Sequence, residues 1–147
     1  MTGLTWAVAA VVTDDAGRVL LCRGGRRWAL PGGRLRRPAC PSGAVADEVR
    51  RETGRSVEVT DLVGIYHLTD TPCGRPAASG SPRDVLVHVF RARVRTRHDA
   101  GPPAGYALAW HRPGALPAEV TPVTRASVAD ALAGRSGVLR DLRPEPP

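Results

Sequence analysis

The stretch that decides the fold runs from Trp28 to Arg55 and reads WALPGGRLRRPACPSGAVADEVRRETGR. It begins with a short apolar run that stops at Pro31-Gly32-Gly33, and its charged second half closes on Gly54. Glycine has no side chain and lets the backbone approach a ligand closely. We predict a helix over residues 43–53, with Ser42 as its N-cap and Gly54 as its C′ residue.

The predicted helix carries two carboxylates, Glu48 and Glu52, which are four positions apart and therefore share one face. Like charges so placed cost stability unless a cation lies between them, and Mg²⁺ prefers oxygen ligands. The alternative is a solvated charged face, in which Asp47 and Arg51 form a surface ion pair worth about 0.3–0.5 kcal/mol. The spacing alone leaves both interpretations open.

The rest of the chain predicts strands interrupted by single helices. This pattern is typical of a mixed sheet covered by helices, an α/β or α+β sandwich. We expect one domain over residues 1–139 and a frayed tail over 140–147. The predicted elements are a hairpin (strands 6–13 and 18–23), strands within 28–30, 57–68, 85–95 and 106–111, loops over 69–82 and 98–103, and a helix over 123–133.

Composition favours anionic ligands. The net charge is +7, and all 21 cations are Arg, because the chain has no Lys. Asn and Gln are also absent, which indicates a biased coding sequence and reduces the weight of the charge. Phosphate ligands remain favoured. Aromatic residues make up only 4% of the chain and the Arg residues are scattered, which argues against nucleic acid as a partner.

The cysteines predict a reducing setting. Cys22, Cys40 and Cys73 are odd in number and widely spaced, so they imply neither a disulfide framework nor a metal site. We expect a cytoplasmic protein. We find no secretory signal, and no apolar run approaches the roughly 18 residues that would span a membrane.

The central stretch resembles the Nudix box, G-x5-E-x7-R-E-U-x-E-E-x-G-U, preceded by the frequent W-x-L-P-G-G. Residues 28–33 match the lead-in, and the spacing from Gly33 to Arg55 then holds without a gap. The matching positions are Gly33, Glu48, Val49, Glu52 and Gly54. The positions that differ are Ala39, Asp47, Arg51 and Arg55, so the box is degenerate.

The resemblance implies a Nudix-like α/β/α sandwich with a central mixed sheet. It also implies that Glu48 and Glu52 bind Mg²⁺ or Mn²⁺, with Glu48 the best candidate for a base or main ligand. Ala39 and Arg51 replace two acids of the motif, and Asp47 replaces its orienting arginine. Asp47 becomes either a substitute metal ligand or one partner of the plain surface pair described above.

The loop after the glycines departs from the family's frequent acidic pattern. We expect Gly32, Gly33, Arg34 and Arg36 to bind phosphate, since a guanidinium donates several hydrogen bonds to such groups. Direct Arg–phosphate contact would then replace part of the metal dependence. Solvated arginines that reflect only the biased composition are the alternative.

Other side chains give weaker signals. Trp6, Tyr66 and Trp110 are candidates to stack a base, although core packing is the usual role of such residues. His67 and His88 are candidates to line the substrate pocket, and a further acid would come from Asp70, Asp84 or Asp99.

The resulting expectation is a pyrophosphohydrolase that uses Mg²⁺ to cleave the diphosphate of a nucleoside diphosphate linked to another group. The altered box predicts weakened activity. A Nudix fold that binds a nucleotide or other diphosphate without cleaving it is the alternative, and a non-nucleotide diphosphatase is a third, more distant one. A homodimer remains open.

Overall fold

The computed structural model describes residues 4–35, 40–69, 84–95 and 106–143. Apart from Thr69, the loops predicted over 69–82 and 98–103 lie outside these residues, as do Arg36 and Ala39. The elements in chain order are β1 (Thr5–Thr13), β2 (Val19–Arg23), β3 (Gly32–Arg34), α1 (Pro41–Thr53), β4 (Val57–Thr69), β5 (Asp84–Val94), β6 (Ala107–His111), a 3-10 turn (Pro113–Ala115), α2 (Pro122–Leu132) and β7 (Val138–Leu142).

The strands form one mixed sheet in the order β6-β2-β1-β5-β4-β7, and β3 pairs with β1 off this path. The β1–β5 and β4–β7 pairs are parallel, and the other pairs are antiparallel. β1 shares one edge between two partners, because β3 pairs with residues 7–9 and β2 begins its pairing at Thr13. The mixed sheet that the sequence predicted is confirmed.

The two helices cover opposite faces of the sheet. On one face, Val45 and Val49 of α1 pack with Val8, Ala10 and Val12 of β1. On the other, α2 contributes Val123 and Val128 to a second cluster that includes Val11 and Tyr66. Full burial of a Val side chain stabilises the fold by about 1.5–3 kcal/mol. Because one helix covers each face of the sheet, the α/β/α sandwich is confirmed.

Several predicted boundaries of the central stretch are wrong. α1 begins at Pro41 and its N-cap is Cys40, without a side-chain cap bond, rather than Ser42. Its C-cap, Gly54, has the left-handed conformation expected of it, with φ 73°. The predicted strand over 28–30 is reduced to isolated bridges, whereas Gly32–Arg34, predicted as a stop, is strand β3.

Strand β7 corrects the boundary expected at residue 140. Residues 138–142 pair in parallel with residues 64–68 of β4, so the chain remains ordered sheet up to Leu142. This pairing joins segments more than 70 positions apart, and the short sequence of β7 gives no local signal of it. Residues 144–147 lie outside the described part of the chain.

A buried carboxylate ties α2 to β4 and β7. Asp130 of α2 is 2% exposed and accepts hydrogen bonds from the Tyr66 hydroxyl at 2.8 Å and from Arg140 Nε at 2.6 Å. Arg135 Nη1 lies 3.2 Å from its other oxygen. Hydrogen bonds from Arg140 lower the pKa of Asp130 to about 2, against the opposing effect of burial. The cluster therefore anchors the β7 edge of the sheet.

We expect this ion cluster to make stability depend on pH below 4. The folded-state pKa of Asp130, about 2, lies below the ordinary value of 3.8, so its contribution is complete above pH 4 and is lost as the pH falls toward 2. Asp130→Asn should lower the free energy of unfolding at pH 7 by about 2 kcal/mol and remove that pH dependence.

Urea unfolding at pH 7, 4 and 2.5 measures both effects. Tyr66→Phe is the control, since it removes one hydrogen bond worth about 1 kcal/mol and keeps the ion pairs. An Asp130→Asn variant that loses stability in parallel with the wild type between pH 4 and 2.5 would contradict the assignment.

Candidate active site

The double glycine brings β3 against both the sheet and α1. Gly33 pairs with Val8 of β1, and Val8 pairs in turn with His88 of β5, so the three residues form one row across the sheet. A Cβ at Gly32 would lie 2.2 Å from the Val8 carbonyl oxygen, which is too close for any side chain. Glycine is therefore required at residue 32 for β3 to lie this near β1.

Glu48 of α1 lies directly above Gly33. A Cβ at Gly33 would be 2.7 Å from Glu48 Oε2 and 3.0 Å from its Cδ. The carboxylate thus occupies the space that any larger residue would fill. The lead-in and the helix, which are separate features of the sequence, meet at this contact.

Glu52 is buried one helical turn further on, with 9% of its surface exposed. Its Oε2 accepts long hydrogen bonds from the Gly32 backbone N–H and the Cys22 thiol, each at 3.4 Å. Burial raises the pKa of Glu52, and the nearby charge of Glu48 raises it further, although the bonds from Cys22 and Gly32 oppose the change. A carboxylate held in such a place is stabilised by a nearby cation.

Cys22 is the residue of this site that sequence reasoning missed. Burial, followed by the charge of Glu52, raises the pKa of the Cys22 thiol to about 12, so the group is a neutral donor to the carboxylate. Its position on β2, 30 residues from Glu52, gave no signal, because only the packing of α1 on the sheet brings the two together.

Arg51 pairs with Glu48, which corrects the ion pair predicted between Arg51 and Asp47. The Arg51 guanidinium donates to Glu48 Oε2, and the Arg51 side chain is 63% exposed. A separation of three residues brings side chains together on a helix as well as one of four does. Arg51 therefore contacts the outer carboxylate from the solvent side, while Glu52 stays beneath it.

The donor set fits a hard divalent cation in part. Glu48 and Glu52 supply carboxylate oxygens, and Mg²⁺ is often bound by one or two carboxylates with substrate phosphates and waters completing the shell. Among the described residues, no group of three or more His, Cys, Asp or Glu side chains is placed to hold a metal. A bound metal would therefore depend on the ligand's own oxygens and would compete with Arg51.

The structure places only some of the other predicted site residues at this centre. Gly32 and Gly33 form its floor on β3, and Arg34 is exposed at the end of that strand. Asp47 is exposed on α1. Arg36 lies outside the described residues. Asp84, one of the candidates for a further acid, contacts His67 at the β4–β5 pair instead, and Asp70 and Asp99 are not described.

The aromatic candidates Tyr66 and Trp6 differ in burial. Tyr66 is fully buried in the core, as expected. Trp6 is 45% exposed, so the expectation of core packing is wrong for it, and its ring stacks on His88 with centroids 5.4 Å apart. Trp6 lies two residues before Val8 on the same strand, so both rings lie on the α1 face of the sheet, beside Gly33 and Glu48.

Comparisons with known proteins agree with this architecture. The NUDIX domain family model matches residues 3–131. A MutT-like protein from Streptomyces ambofaciens is 32% identical over 130 residues, covering 87% of this chain and 77% of the relative. A NUDIX hydrolase from Nitrosomonas europaea superposes with a TM-score of 0.73 and 26% identity, covering 92% of this chain and 93% of that one.

A MutT NUDIX hydrolase from Burkholderia pseudomallei is similar in fold, with a TM-score of 0.70 and 22% identity over 87% of this chain and 98% of that one. The chain belongs to the Nudix domain family. Its enzyme class is that of the Nudix pyrophosphohydrolases, which act on small-molecule nucleoside diphosphate derivatives and generally use a divalent metal ion. In the part of the chain that the structure describes, no helix has the length and apolar character to cross a membrane.

We expect alanine substitutions at the two glycines to separate folding from the site. Gly32→Ala should cost about 3 kcal/mol of stability, because its methyl group meets the backbone of β1. Gly33→Ala meets only the end of the Glu48 side chain, which can rotate away, and should change stability by about 0.5 kcal/mol or less.

Urea unfolding measures the stability of both variants. Electron paramagnetic resonance of Mn²⁺ measures the metal affinity of Gly33→Ala. Gly33→Ala should weaken Mn²⁺ binding by moving Glu48. Gly114→Ala is the control for the loss of a distant glycine, because Gly114 has no positive φ and no atom lies within 4 Å of an added Cβ. Unchanged Mn²⁺ affinity in a folded Gly33→Ala protein would show that Glu48 is not held for the metal.

Proposed function

We propose that this protein hydrolyses the diphosphate bond of a nucleoside diphosphate linked to another group, with Mg²⁺ or Mn²⁺ as the cofactor. The observation that carries the proposal is the convergence of Glu48 and Glu52 on the Gly32–Gly33 strand, where one carboxylate is buried and the other lies over a glycine. Two like charges so close in a water-poor site are suited to a divalent cation.

In this proposal Glu48 and Glu52 hold the metal, and Glu48 is also the candidate base for the attacking water. Asp47, exposed at the preceding helix position, does not form a group of three metal-binding side chains with them in the described structure, so phosphate oxygens and waters would complete the shell. When bound, the metal would neutralise phosphate oxygens and lower the pKa of a water molecule. The β1 backbone and the Glu48 carboxylate fill the space beside Gly32 and Gly33, so in this proposal the glycines position the metal ligands, and Arg34 and Arg36 are the donors to the diphosphate oxygens.

The Trp6–His88 stack is the surface that we assign to the group attached to the diphosphate. His88 lies in the same cross-sheet row as Gly33, two strand spacings away, which is about 10 Å. That distance suits a sugar and a planar ring beyond two phosphates. The exposed face of Trp6 offers stacking, and His88 Nδ1 is buried without a hydrogen-bond partner among the described residues.

Trp6→Ala should therefore raise KM for the substrate about tenfold and change kcat little, since stacking stabilises ground state and transition state alike. Steady-state kinetics on the best substrate of a diphosphate panel measures the change. Leu4→Ala, which removes a neighbouring exposed apolar side chain, is the control. A fall in kcat with KM unchanged would contradict the assignment of Trp6 to binding.

Arg51 is the physical reason to expect weakened activity. Its contact with Glu48 places a positive charge where the metal would bind, so metal binding must first displace the guanidinium. Arg50 is also exposed on α1, and α1 has basic residues in its last turn at both positions. The two arginines therefore provide a matched pair of substitutions with the same change in net charge.

Arg51→Glu should raise the affinity for Mn²⁺ and the turnover of a generic diphosphate substrate about tenfold, or about 1.4 kcal/mol, and Arg50→Glu should change them much less. Product formation, followed by ³¹P nuclear magnetic resonance with Mg²⁺ and with chelator, measures turnover. Glu48→Gln should abolish it. Equal gains in Arg51→Glu and Arg50→Glu would show only a general electrostatic effect and would exclude a specific role of the Arg51–Glu48 pair.

A binding module without hydrolysis is the second candidate, and the Arg51–Glu48 contact favours it, since an arginine in the metal's place also holds phosphate directly. The same assay separates the candidates. Ligand binding without product, unchanged by Glu48→Gln and by chelator, would establish the module and remove the hydrolase.

We further propose that the protein is cytoplasmic, because its cysteines are scattered, and that it forms a homodimer. Analytical ultracentrifugation measures the oligomeric state.

A further inference from the structure

Strand β6 forms one edge of the sheet and carries no charged side chain. The strand order places β6 at one end and β7 at the other. β6 reads ALAWH over Ala107–His111, without Asp, Glu, Lys or Arg, in a chain in which 24% of the residues are charged. β7 has Arg140 and Asp141 among its five residues. Charged residues protect an exposed edge against pairing with another strand. β7 therefore has this protection, and β6 lacks it.

The backbone hydrogen bonds of β2 determine which groups of β6 point outward. Cys22 exchanges both of its backbone hydrogen bonds with Ala29, each at 2.9 Å, on the side of β2 away from β6. Its opposite residue in β6, Leu108, is therefore in a non-hydrogen-bonded pair of the β2–β6 ladder. Because the two kinds of pair alternate in an antiparallel ladder, Trp110 is in such a pair as well. The N–H and C=O groups of Leu108 and Trp110 thus point away from β2.

These outward backbone groups have no partner in the described part of the chain. Within that part, β6 pairs with β2 alone, and neither Leu108 nor Trp110 has a backbone hydrogen bond to another segment. Their side chains pack against the core cluster beneath α1, so the facing of the strand is fixed. A well-placed strand with outward donors and acceptors is suited to pair with a further strand.

The sequence of β6 is complementary to itself. A twofold axis through Ala109 would pair β6 antiparallel with β6 of a second copy and bring Leu108 opposite Trp110 of that copy. Both residues have outward backbone groups, so these pairs are the hydrogen-bonded ones, and leucine opposite tryptophan on one face is favourable. Ala109 would meet its own copy in a non-hydrogen-bonded pair, where Cα atoms are only about 4.5 Å apart. Its methyl group fits that spacing.

The same register keeps the charges beside β6 apart. Arg112, exposed directly after the strand, comes opposite Tyr106 of the second copy. Tyr106 is 41% exposed, and a guanidinium interacts favourably with an aromatic ring. A parallel pairing in register would instead bring the two Arg112 side chains together. Each copy carries a net charge of +7, so an uncharged strand is a suitable place for two copies to meet.

We propose that two copies of this chain associate through β6 and form one continuous sheet across the dimer. The contact is isologous, with Ala109 on the axis and one Leu108–Trp110 pair on either side of it. A five-residue strand makes a small interface, so the dimer is weak and its population depends on protein concentration. The proposal rests on the homodimer proposed above, names its surface, and does not depend on hydrolysis.

Analytical ultracentrifugation of the full chain tests the interface. The wild type should show a monomer–dimer equilibrium. Ala109→Lys places like charges opposite each other on the axis and should weaken dimerisation at least about tenfold, as should Ala109→Glu. An equimolar mixture of the two variants should restore the dimer, because opposite charges then meet, and this recovery also shows that both variants fold. Leu139→Lys adds the same charge at a 77% exposed residue of β7 and should dimerise as the wild type does.

Hydrogen exchange of the wild-type protein gives a second measurement. The backbone amides of Leu108 and Trp110 should exchange slowly at high protein concentration and faster on dilution. The amide of Ala109, which faces β2, is the internal control and should exchange slowly at both concentrations.

Three results would overturn the proposal. A monomer at every concentration would remove the interface together with the homodimer. A dimer that Leu139→Lys dissociates and Ala109→Lys leaves intact would place the contact at β7, and Ala109 variants that stay monomeric when mixed would exclude the axis at Ala109. Slow exchange of the Leu108 and Trp110 amides at every dilution would show that another segment of the same chain covers this edge.

Discussion

The close approach of β3 to β1 and α1 is the constraint on which the rest of the structure depends. At Gly32 the space for a side chain is filled by the backbone of β1, and at Gly33 it is filled by the Glu48 carboxylate. Because neither residue has a side chain, β3 can lie against β1 and beneath the Glu48 carboxylate of α1. Any residue with a Cβ at these positions must move either the sheet or the carboxylate.

The charge at this contact determines what the site can do. Glu52 is buried and Glu48 lies close to it, so the pair requires a positive partner. The chain provides one in Arg51, where the family pattern has an acid. If a divalent cation displaces this guanidinium, the site suits the proposed hydrolysis. If the guanidinium stays, the site suits phosphate binding alone, and the fold supports either.

Elements with a strong local signal were predicted well. The β1–β2 hairpin, the alternating strand β5, the C-cap Gly54 and helix α2 after Thr121 follow from turn chemistry and periodicity. The errors occurred where a distant segment decides the outcome. β3 is a strand because β1 accepts it, and β7 is a strand because β4 pairs with it. The N-cap at Cys40 was missed because Ser42 has the better local propensity.

The sequence by itself determined the spacing of Glu48 and Glu52, the glycines before them and the family they indicate, because helical periodicity places such carboxylates on one face whatever surrounds them. Only the tertiary structure decided which groups meet those carboxylates. Cys22 reaches Glu52, 30 positions away, and Trp110 receives Arg55, 55 positions away, because α1 packs on a sheet whose strands are distant in sequence. Such contacts depend on the order of strands in the sheet, and no local pattern of residues records that order.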